Sequence, residues 1–322
     1  MATAEQLKAL IKSYSSDDPE RFFTIALQVA AHEAQLGHGE LANEIRQIID
    51  KTRGERKLKV VKFPQDLRGL VLFEEPEIPL SALVTPIILR TRIERIIHEY
   101  RQQDKLKKYG LMNRRKIMLV GPPGTGKTMT TRILAHELRL PLNTVQVDKL
   151  VTKFMGETSA KLRQIFDLIQ QEKGVYLFDE FDAIGGERAV ENDVGEMRRV
   201  LNAFLQFIEQ DISDSLIVVA TNRPKLLDRA LFRRFDDVLY YKLPEPEDRK
   251  RLIQNVLGAF LELKITWKSI MMESEGLSHA EISQACLDAI KQAILSEKQS
   301  VKISLLRQML NERQTTNAGR KG

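Results

Sequence analysis

The sequence predicts an α/β fold: a five-stranded parallel sheet flanked by helices, with helical segments before and after it. Three observations predict it. Strand-like apolar runs alternate with helical patterns from residue 116 to 243, the signature of a parallel sheet with helical crossovers. An unbroken G-x-x-x-x-G-K-T string, Gly121 to Thr128, falls where one such strand turns into a helix. Residues 1–53 and 245–311 carry helical spacing without strand-like runs.

Residues 1–53 are expected to form a small helical adaptor or interaction domain. Glu5 to Tyr14 makes a first helix. Asp18-Pro19-Glu20 opens a second, with an acidic cap and Pro in the first turn. Phe22, Ile25, Ala26, Val29 and Ala30 form its apolar face, and Gly37-His38-Gly39 ends it. Leu41, Ile45, Ile48 and Ile49 mark a third helix, ending near Gly54. His32 and His38 are too isolated for a metal site and read as solvated or capping residues. Residues 54–79 read as a linker with one or two short strands, punctuated by Pro64, Pro76 and Pro79. A helix follows over 86–109, with Ile87, Ile88, Ile93, Ile96, Ile97 and Tyr100 as its apolar stripe.

The strands are expected at 116–120, 143–147, 174–178, 215–220 and 237–243. Helices are expected near 127–139, 158–171, 194–210 and 225–232. Within the C-terminal helical segment, Ser278-His279-Ala280-Glu281 is a capping box. It opens a long helix with Ile282, Ala285, Cys286, Ala289, Ile290 and Ile294 on one side. Residues 312–322 read as a disordered polar tail.

Composition narrows the class. The chain has 322 residues, 43% hydrophobic and 29% charged, as ordinary globular proteins do. The net charge is +6, but 50 basic residues face 44 acidic ones and both signs are dispersed. A mixed solvated surface explains this better than a nucleic-acid partner. No run reaches the roughly 18 apolar residues of a membrane helix, and the N-terminus lacks the pattern of a signal peptide. The single cysteine, Cys286, leaves no internal disulfide and sits on a buried helix face. A cytoplasmic protein without a membrane partner is expected.

The chemistry concentrates after the strands. Glycines let backbone N–H groups turn around an anion, and the following helix adds its positive end. Lys127 reaches the β- and γ-phosphates, and the Thr128 hydroxyl ligates Mg²⁺. Gly121, Pro122, Pro123, Gly124, Thr125, Gly126, Lys127, Thr128 and the next residue, Met129, are the expected nucleotide contacts. Val175–Glu180 is a hydrophobic strand ending in two acids. Asp179 holds Mg²⁺ through water, and Glu180 accepts a proton from the attacking water. Asn222, after the fourth strand, either orients that water or contacts the γ-phosphate, or caps the turn before Pro224. Arg233 and Arg234 either serve a phosphate in a neighbouring subunit or form a surface pair with Asp236 and Asp237.

Together these motifs resemble the AAA family of the AAA+ ATPase superfamily, in its group of protein unfoldases and remodellers. Gly121–Thr128 matches the family's Walker A, Val175–Glu180 its Walker B, and Asn222 its sensor 1. Asp228–Asp236 resembles its second region of homology, with Arg233 and Arg234 as arginine fingers. Gly276–Glu281 resembles the sensor 2 stretch, which places His279 and Ala280 beside ATP. Leu83 and Val84 stand where the family's backbone brackets adenine. Lys153-Phe154-Met155-Gly156-Glu157-Thr158 resembles the first pore loop of threading ATPases, and Ile184–Arg188 the second. Two departures stand out. The family's finger arginines are commonly separated by Pro-Gly and here are adjacent. A Gly is common where His279 stands.

The resemblance implies a P-loop NTPase sheet domain at 80–244 and a C-terminal helical lid at 245–311. It implies ATP and Mg²⁺ as the ligands and a ring, a homo-hexamer, with sites at subunit interfaces. It further implies a protein client, gripped by the pore loop and chosen by the N-terminal helices, and mechanical unfolding or threading as the output. No H-E-x-x-H or G-x-S-x-G protease motif is present. A separate subtilisin-like serine protease, which accompanies some small chains of this type, is a candidate partner. Two other readings stand beside this one. One is a DNA-associated ATPase of the helicase-loader or transposition-helper type, against which the pore-loop stretch argues. The other is a nucleotide-switched binding module that translocates nothing.

Overall fold

Six strands, not five, pair into one sheet in the computed structural model. The structure describes Lys8 and residues 19–35, 38–39, 41–47, 49, 67, 69–150, 155–185, 194–262 and 266–318. The chain divides into two units, Met1–Lys62 and Phe63–Gly322.

In the first unit, helix α1 (Pro19–Gln35) starts at the proline expected to open it. Residues 41–47 are also helical. Ala26 and Ile49 are buried together, with Leu27 and Ile45 packed against them. Leu41, assigned to the buried face, is exposed, and Ala42 is buried in its stead. The Glu33 carboxylate accepts from His38 Nδ1 at 2.7 Å, which fits a local polar role. The helix expected at 5–14 lies outside the described residues apart from Lys8.

The second unit begins with β1 (Val71–Glu74) and α2 (Ile87–Arg101). Then follow β2 (Lys116–Val120), α3 (Lys127–Leu138), β3 (Leu142–Gln146) and α4 (Met155–Gln171). Next come β4 (Val175–Asp179), α5 (Asp182–Gly185), α6 (Val194–Gln210), β5 (Leu216–Thr221) and β6 (Asp237–Tyr240). The sheet order is β1-β3-β4-β5-β2-β6. β2 runs parallel to β5, with Lys116 opposite Ile217 and Val120 opposite Thr221. β4 pairs with β5 in the same sense, Phe178 opposite Val219. The carboxyl ends of β2, β4 and β5 therefore meet at one edge, where ligands bind in open α/β sheets.

β1 is the strand beyond the expected five. It lies antiparallel on β3, Val71 opposite Val145, inside the stretch 54–79 expected to be linker. Only four residues long and followed closely by Pro76, it carries too little alternation to be seen as a member of the sheet. Leu72 and Phe73 remain exposed, as edge-strand side chains can be.

Period-two alternation sorts the strands between two cores. Met118, Val120, Tyr176, Phe178 and Val219 face one side, against Leu162, Ile165 and Phe166 of α4 and Phe204 and Ile208 of α6. Ile117, Leu119, Leu177 and Val218 face the other, against Ile93, Ile96 and Ile97 of α2 and Ile133 and Leu134 of α3. Ile87 and Ile88, expected in the α2 stripe, are 72% and 76% exposed. The helix turns about 100° per residue, and the i, i+4, i+7 spacing of Leu89, Ile93 and Ile96 leaves these two on another face.

The C-terminal helices are α7 (Pro246–Leu257), α8 (Trp267–Glu273), α9 (His279–Leu295) and α10 (Ile303–Ala318). They bury Leu252, Ile253, Ile270, Ile282, Ala285, Cys286 and Leu310 in a third core that also takes Val84. Ile294, expected on the buried side of α9, is exposed, while Ala293 is buried. The capping box is formed: Ser278 Oγ accepts from the Glu281 N–H, and Glu281 Oε2 accepts from the Ser278 N–H at 2.7 Å. Burial pushes the Cys286 thiol up to about 12, which makes it an inert core residue. The tail expected to be disordered from 312 is helical as far as Ala318. Its polar residues hold it there: Arg313 pairs with Asp288 of α9 at 2.5 Å, and the Gln314 side chain donates to the Glu275 carbonyl at 3.1 Å.

Candidate functional site

A cavity of about 790 Å³ opens at the carboxyl edge of the sheet, between the phosphate loop and the C-terminal helices. The loop forms one wall, from Pro123 to Met129. Gly121 and Pro122 lie behind it. At Gly121 a Cβ would stand 2.4 Å from the Tyr241 carbonyl oxygen, so no side chain fits. Gly124 has φ +73, and a Cβ there would meet Ser278 Oγ at 2.6 Å. Its carbonyl accepts the Ala280 N–H at 3.0 Å, which joins the loop to the start of α9. Lys127, the first residue of α3, is buried, and its Nζ donates to the carbonyls of Gly121 and Pro122, each at 2.8 Å. Burial lowers its pKa, and the charges of Asp179 and Asp182 work in the other direction.

The acids meet the loop from β4. Asp179 Oδ2 accepts the Thr128 hydroxyl at 2.8 Å, and its Oδ1 accepts the Glu180 N–H at 2.9 Å. A hydroxyl and a carboxylate oxygen in contact are hard donors of the kind Mg²⁺ takes. Among the described residues no cluster of three or more His, Cys, Asp or Glu side chains could hold a metal. The Thr128 hydroxyl and the Asp179 carboxylate fit Mg²⁺ as the protein part of its donor set. Glu180 has φ +50, a left-handed conformation that side chains rarely adopt. Strain of this kind persists where the surroundings fix it. Phe181 anchors the turn, with its ring 4.6 Å from that of Phe204 and its N–H on the Ala220 carbonyl at 2.9 Å. Glu180 and Asn222 both line the cavity.

Asp182, which the sequence reading did not single out, supports the candidate site from outside the cavity. Its Oδ1 accepts the Thr221 hydroxyl at 3.1 Å and the Asn222 N–H at 3.0 Å. It thus ties the turn after β4 to the end of β5 and fixes Asn222 relative to Glu180. The only signal in the sequence is its place three residues after Asp179, which says nothing of the neighbouring strand.

Leu83, Val84, His279 and Ala280 line the cavity on the side of the C-terminal helices. Leu252, Asn255, Val256 and Ser283 join them there. Arg233 and Arg234 are exposed and do not line it. The alternative reading, a surface pairing with Asp236 and Asp237, is not formed. Arg234 pairs with Glu209 at 3.0 Å, Asp236 accepts the N–H groups of Arg115 and Lys116, and Asp237 pairs with Arg92. Lys153 and Phe154 lie outside the described residues, as do Gly186, Glu187 and Arg188. Met155 and Gly156 form the first turn of α4. No helix among the described residues is long and apolar enough to cross a membrane.

The family model for the ATPase family associated with various cellular activities (AAA) matches residues 117–243. An uncharacterized AAA family ATPase, y4kL, of Sinorhizobium fredii is 32% identical over 99% of this chain and 98% of its own length. A proteasome-activating nucleotidase of Methanosphaerula palustris is 30% identical over 68% of this chain and 57% of its own. The ATP-dependent zinc metalloprotease FtsH 1 of Methylacidiphilum infernorum is 31% identical over 61% of this chain and 32% of its own. Against the latter two, the chain spans little more than half of the relative's length or less.

Proposed function

Because the chain belongs to the AAA family of ATPases, enzymes that hydrolyse ATP, we propose that it does so as a homo-hexameric ring that unfolds or threads protein clients. The convergence of Lys127, Thr128, Asp179, Glu180 and Asn222 on one cavity carries this reading. The loop N–H groups and Lys127 hold the phosphates, and Glu180 takes the proton of the attacking water while Asn222 orients it. Thr128 and Asp179 would hold Mg²⁺, which when bound would supply further positive charge. Arg233 and Arg234, exposed and away from their own cavity, complete a neighbouring subunit's site. Residues 1–53 select the client, and Lys153, Phe154, Met155 and Gly156 grip it. A protein so built, with one buried thiol, works in the cytoplasm. A separate protease of the subtilisin-like kind is a partner to look for.

Two experiments test this. Phe154→Ala should keep ring assembly and much of the ATPase activity, yet abolish unfolding of a fluorescent protein bearing an unstructured tail. The large apolar contact it supplies is not replaced by a methyl group. Normal unfolding by that variant would remove the threading reading. Mixing Arg233→Ala/Arg234→Ala subunits with Lys127→Ala subunits should restore some hydrolysis, since one mixed interface joins an intact loop to intact arginines. No restoration in rings that exchange subunits would count against action in trans.

A further inference from the structure

One wall of the cavity, Ser81 to Val84, is fastened by a residue that does not line it. The wall grows out of a single 3₁₀ turn, Leu80–Ala82. Such turns are short and poorly bonded. This one is closed only by the Ala82 N–H on the Pro79 carbonyl and the Leu83 N–H on the Leu80 carbonyl, each at 3.1 Å. Pro79, which precedes it, offers no side-chain cap. The cap comes from 57 residues away: Glu137 Oε1 accepts the Leu80 N–H at 3.1 Å. A carboxylate there also meets the partial positive charge of the turn's amino end.

Glu137 stands in the last turn of α3, the helix that Lys127 opens. Two neighbours on that helix reach the segment just before the 3₁₀ turn. Arg132 pairs with Glu74 at 3.0 Å, and His136 Nδ1 donates to the Pro76 carbonyl at 3.1 Å. Arg101, at the end of α2, donates to Glu137 Oε2 at 2.8 Å and to its carbonyl at 2.6 Å. The Leu80 N–H and Arg101 hold the Glu137 carboxyl below the usual carboxylate range, against the opposing effect of burial. It is therefore ionised near pH 7 and stays an acceptor. Beyond the turn, Leu83 packs with Ile133 and Leu134 of α3, while Val84 packs into the core of the C-terminal helices. One helix thus carries the phosphate loop at its first turn and the anchor of the opposite wall at its last.

We propose that Glu137 is a positioning residue: by capping the Leu80–Ala82 turn from α3, it sets the spacing between the Leu83–Val84 wall and the phosphate loop, and so the affinity for ATP. This rests on the cavity being the nucleotide site. Glu137 acts through the backbone of the turn and touches neither ligand nor reacting atoms.

The test is equilibrium binding of ATP and of inorganic tripolyphosphate, beside steady-state hydrolysis, for the full chain and for Glu137→Asp and Glu137→Gln. Asp keeps the charge but draws the carboxylate back by one methylene, away from Leu80. Gln keeps the reach and an acceptor oxygen but loses the charge. Glu137→Asp should raise Kd and KM for ATP by about tenfold, the scale of one charge-assisted hydrogen bond. Tripolyphosphate binding and kcat should be unchanged, because the loop and the acids of β4 stay in place. Glu137→Gln should lose less than Glu137→Asp. Unchanged ATP affinity in Glu137→Asp, or a fall in kcat with KM unchanged, overturns the proposal and leaves the nucleotide site intact. An equal loss for tripolyphosphate also overturns it, because the effect then runs through α3 as a whole. So does a larger loss in Gln than in Asp, the mark of the Arg101 pair alone. Hydrogen exchange at the Leu80 amide of the wild-type chain serves if the Asp variant does not fold: the amide should be protected, and fast exchange there overturns the proposal. A wild-type chain that binds neither ATP nor tripolyphosphate sinks the site reading and this one with it.

Discussion

The two ends of the same sheet use their charges differently. At the amino end of β2, Arg115 pairs with the fully buried Asp211. Asp236 accepts two backbone N–H groups there, at 2.9 and 2.8 Å. Arg114 pairs with Glu99, and Arg92 with Asp237. Each of these charges is matched inside the chain. At the carboxyl end, Lys127 makes do with two carbonyls of its own loop, Glu180 is exposed on a cavity wall, and Asn222 is held only through its backbone N–H. The difference teaches that density of charge does not mark a site. Unspent hydrogen-bonding capacity directed into a cavity does.

Substitutions at the two ends should therefore separate activity from stability. The largest effect is expected for Glu180→Gln, which keeps shape and removes the base. Hydrolysis should fall about 10²–10⁴-fold with ATP binding retained, as read by single-turnover kinetics beside a binding assay. Hydrolysis within a few-fold of wild type would take the base away from Glu180. At the opposite end, Arg115→Ala leaves Asp211 buried without its partner and should cost about 3–5 kcal/mol of stability. Denaturant unfolding measures that loss, and kcat per folded molecule should be unchanged. A large drop in kcat would join the two ends and break the comparison.

Asp182→Asn sharpens it within the site. Weakening a supporting contact around a metal centre costs about 10–100-fold. The loss should appear in kcat with nucleotide affinity unchanged, because Asp182 positions Asn222 and touches no loop residue through a hydrogen bond. Equal loss of affinity would make it a structural residue only. The smallest effect belongs to Glu209→Ala. Its pair with Arg234 is exposed on both sides and should contribute about 0–1 kcal/mol, a shift at the edge of detection in thermal unfolding.

What the sequence revealed follows the range of the forces involved. The phosphate loop and the acid pair are contiguous strings whose geometry is set within a few residues, so Lys127, Thr128, Asp179 and Glu180 could be read directly. The alternation of buried strands was equally plain in Ile117 to Val120 and Leu216 to Thr221. Asp182 was not legible, because its partners sit on the adjacent strand and sheet order is a long-range property. β1 was missed as part of the sheet for the same reason: its pairing with β3 is what defines it. Ile87 and Ile88 misled because apolar content was followed without the helical phase set by Ile93 and Ile96. The helix through 312–318 depends on Asp288 and Glu275, which no reading of those seven residues could supply.

The main-chain bond from Ala280 to the Gly124 carbonyl makes a hinge pin of the phosphate loop's midpoint. With no side chain at Gly124 to hold the parts asunder, α9 is seated directly on the loop. That helix runs 17 residues from the pin, a lever of about 25 Å at 1.5 Å per residue. A tilt of about 10° that strains one bond at the pin carries the far end through about 4 Å. The lever's tip is Ile294 and Leu295, 56% and 84% exposed. Any small tilt at the pin would thus be enlarged at an exposed apolar surface.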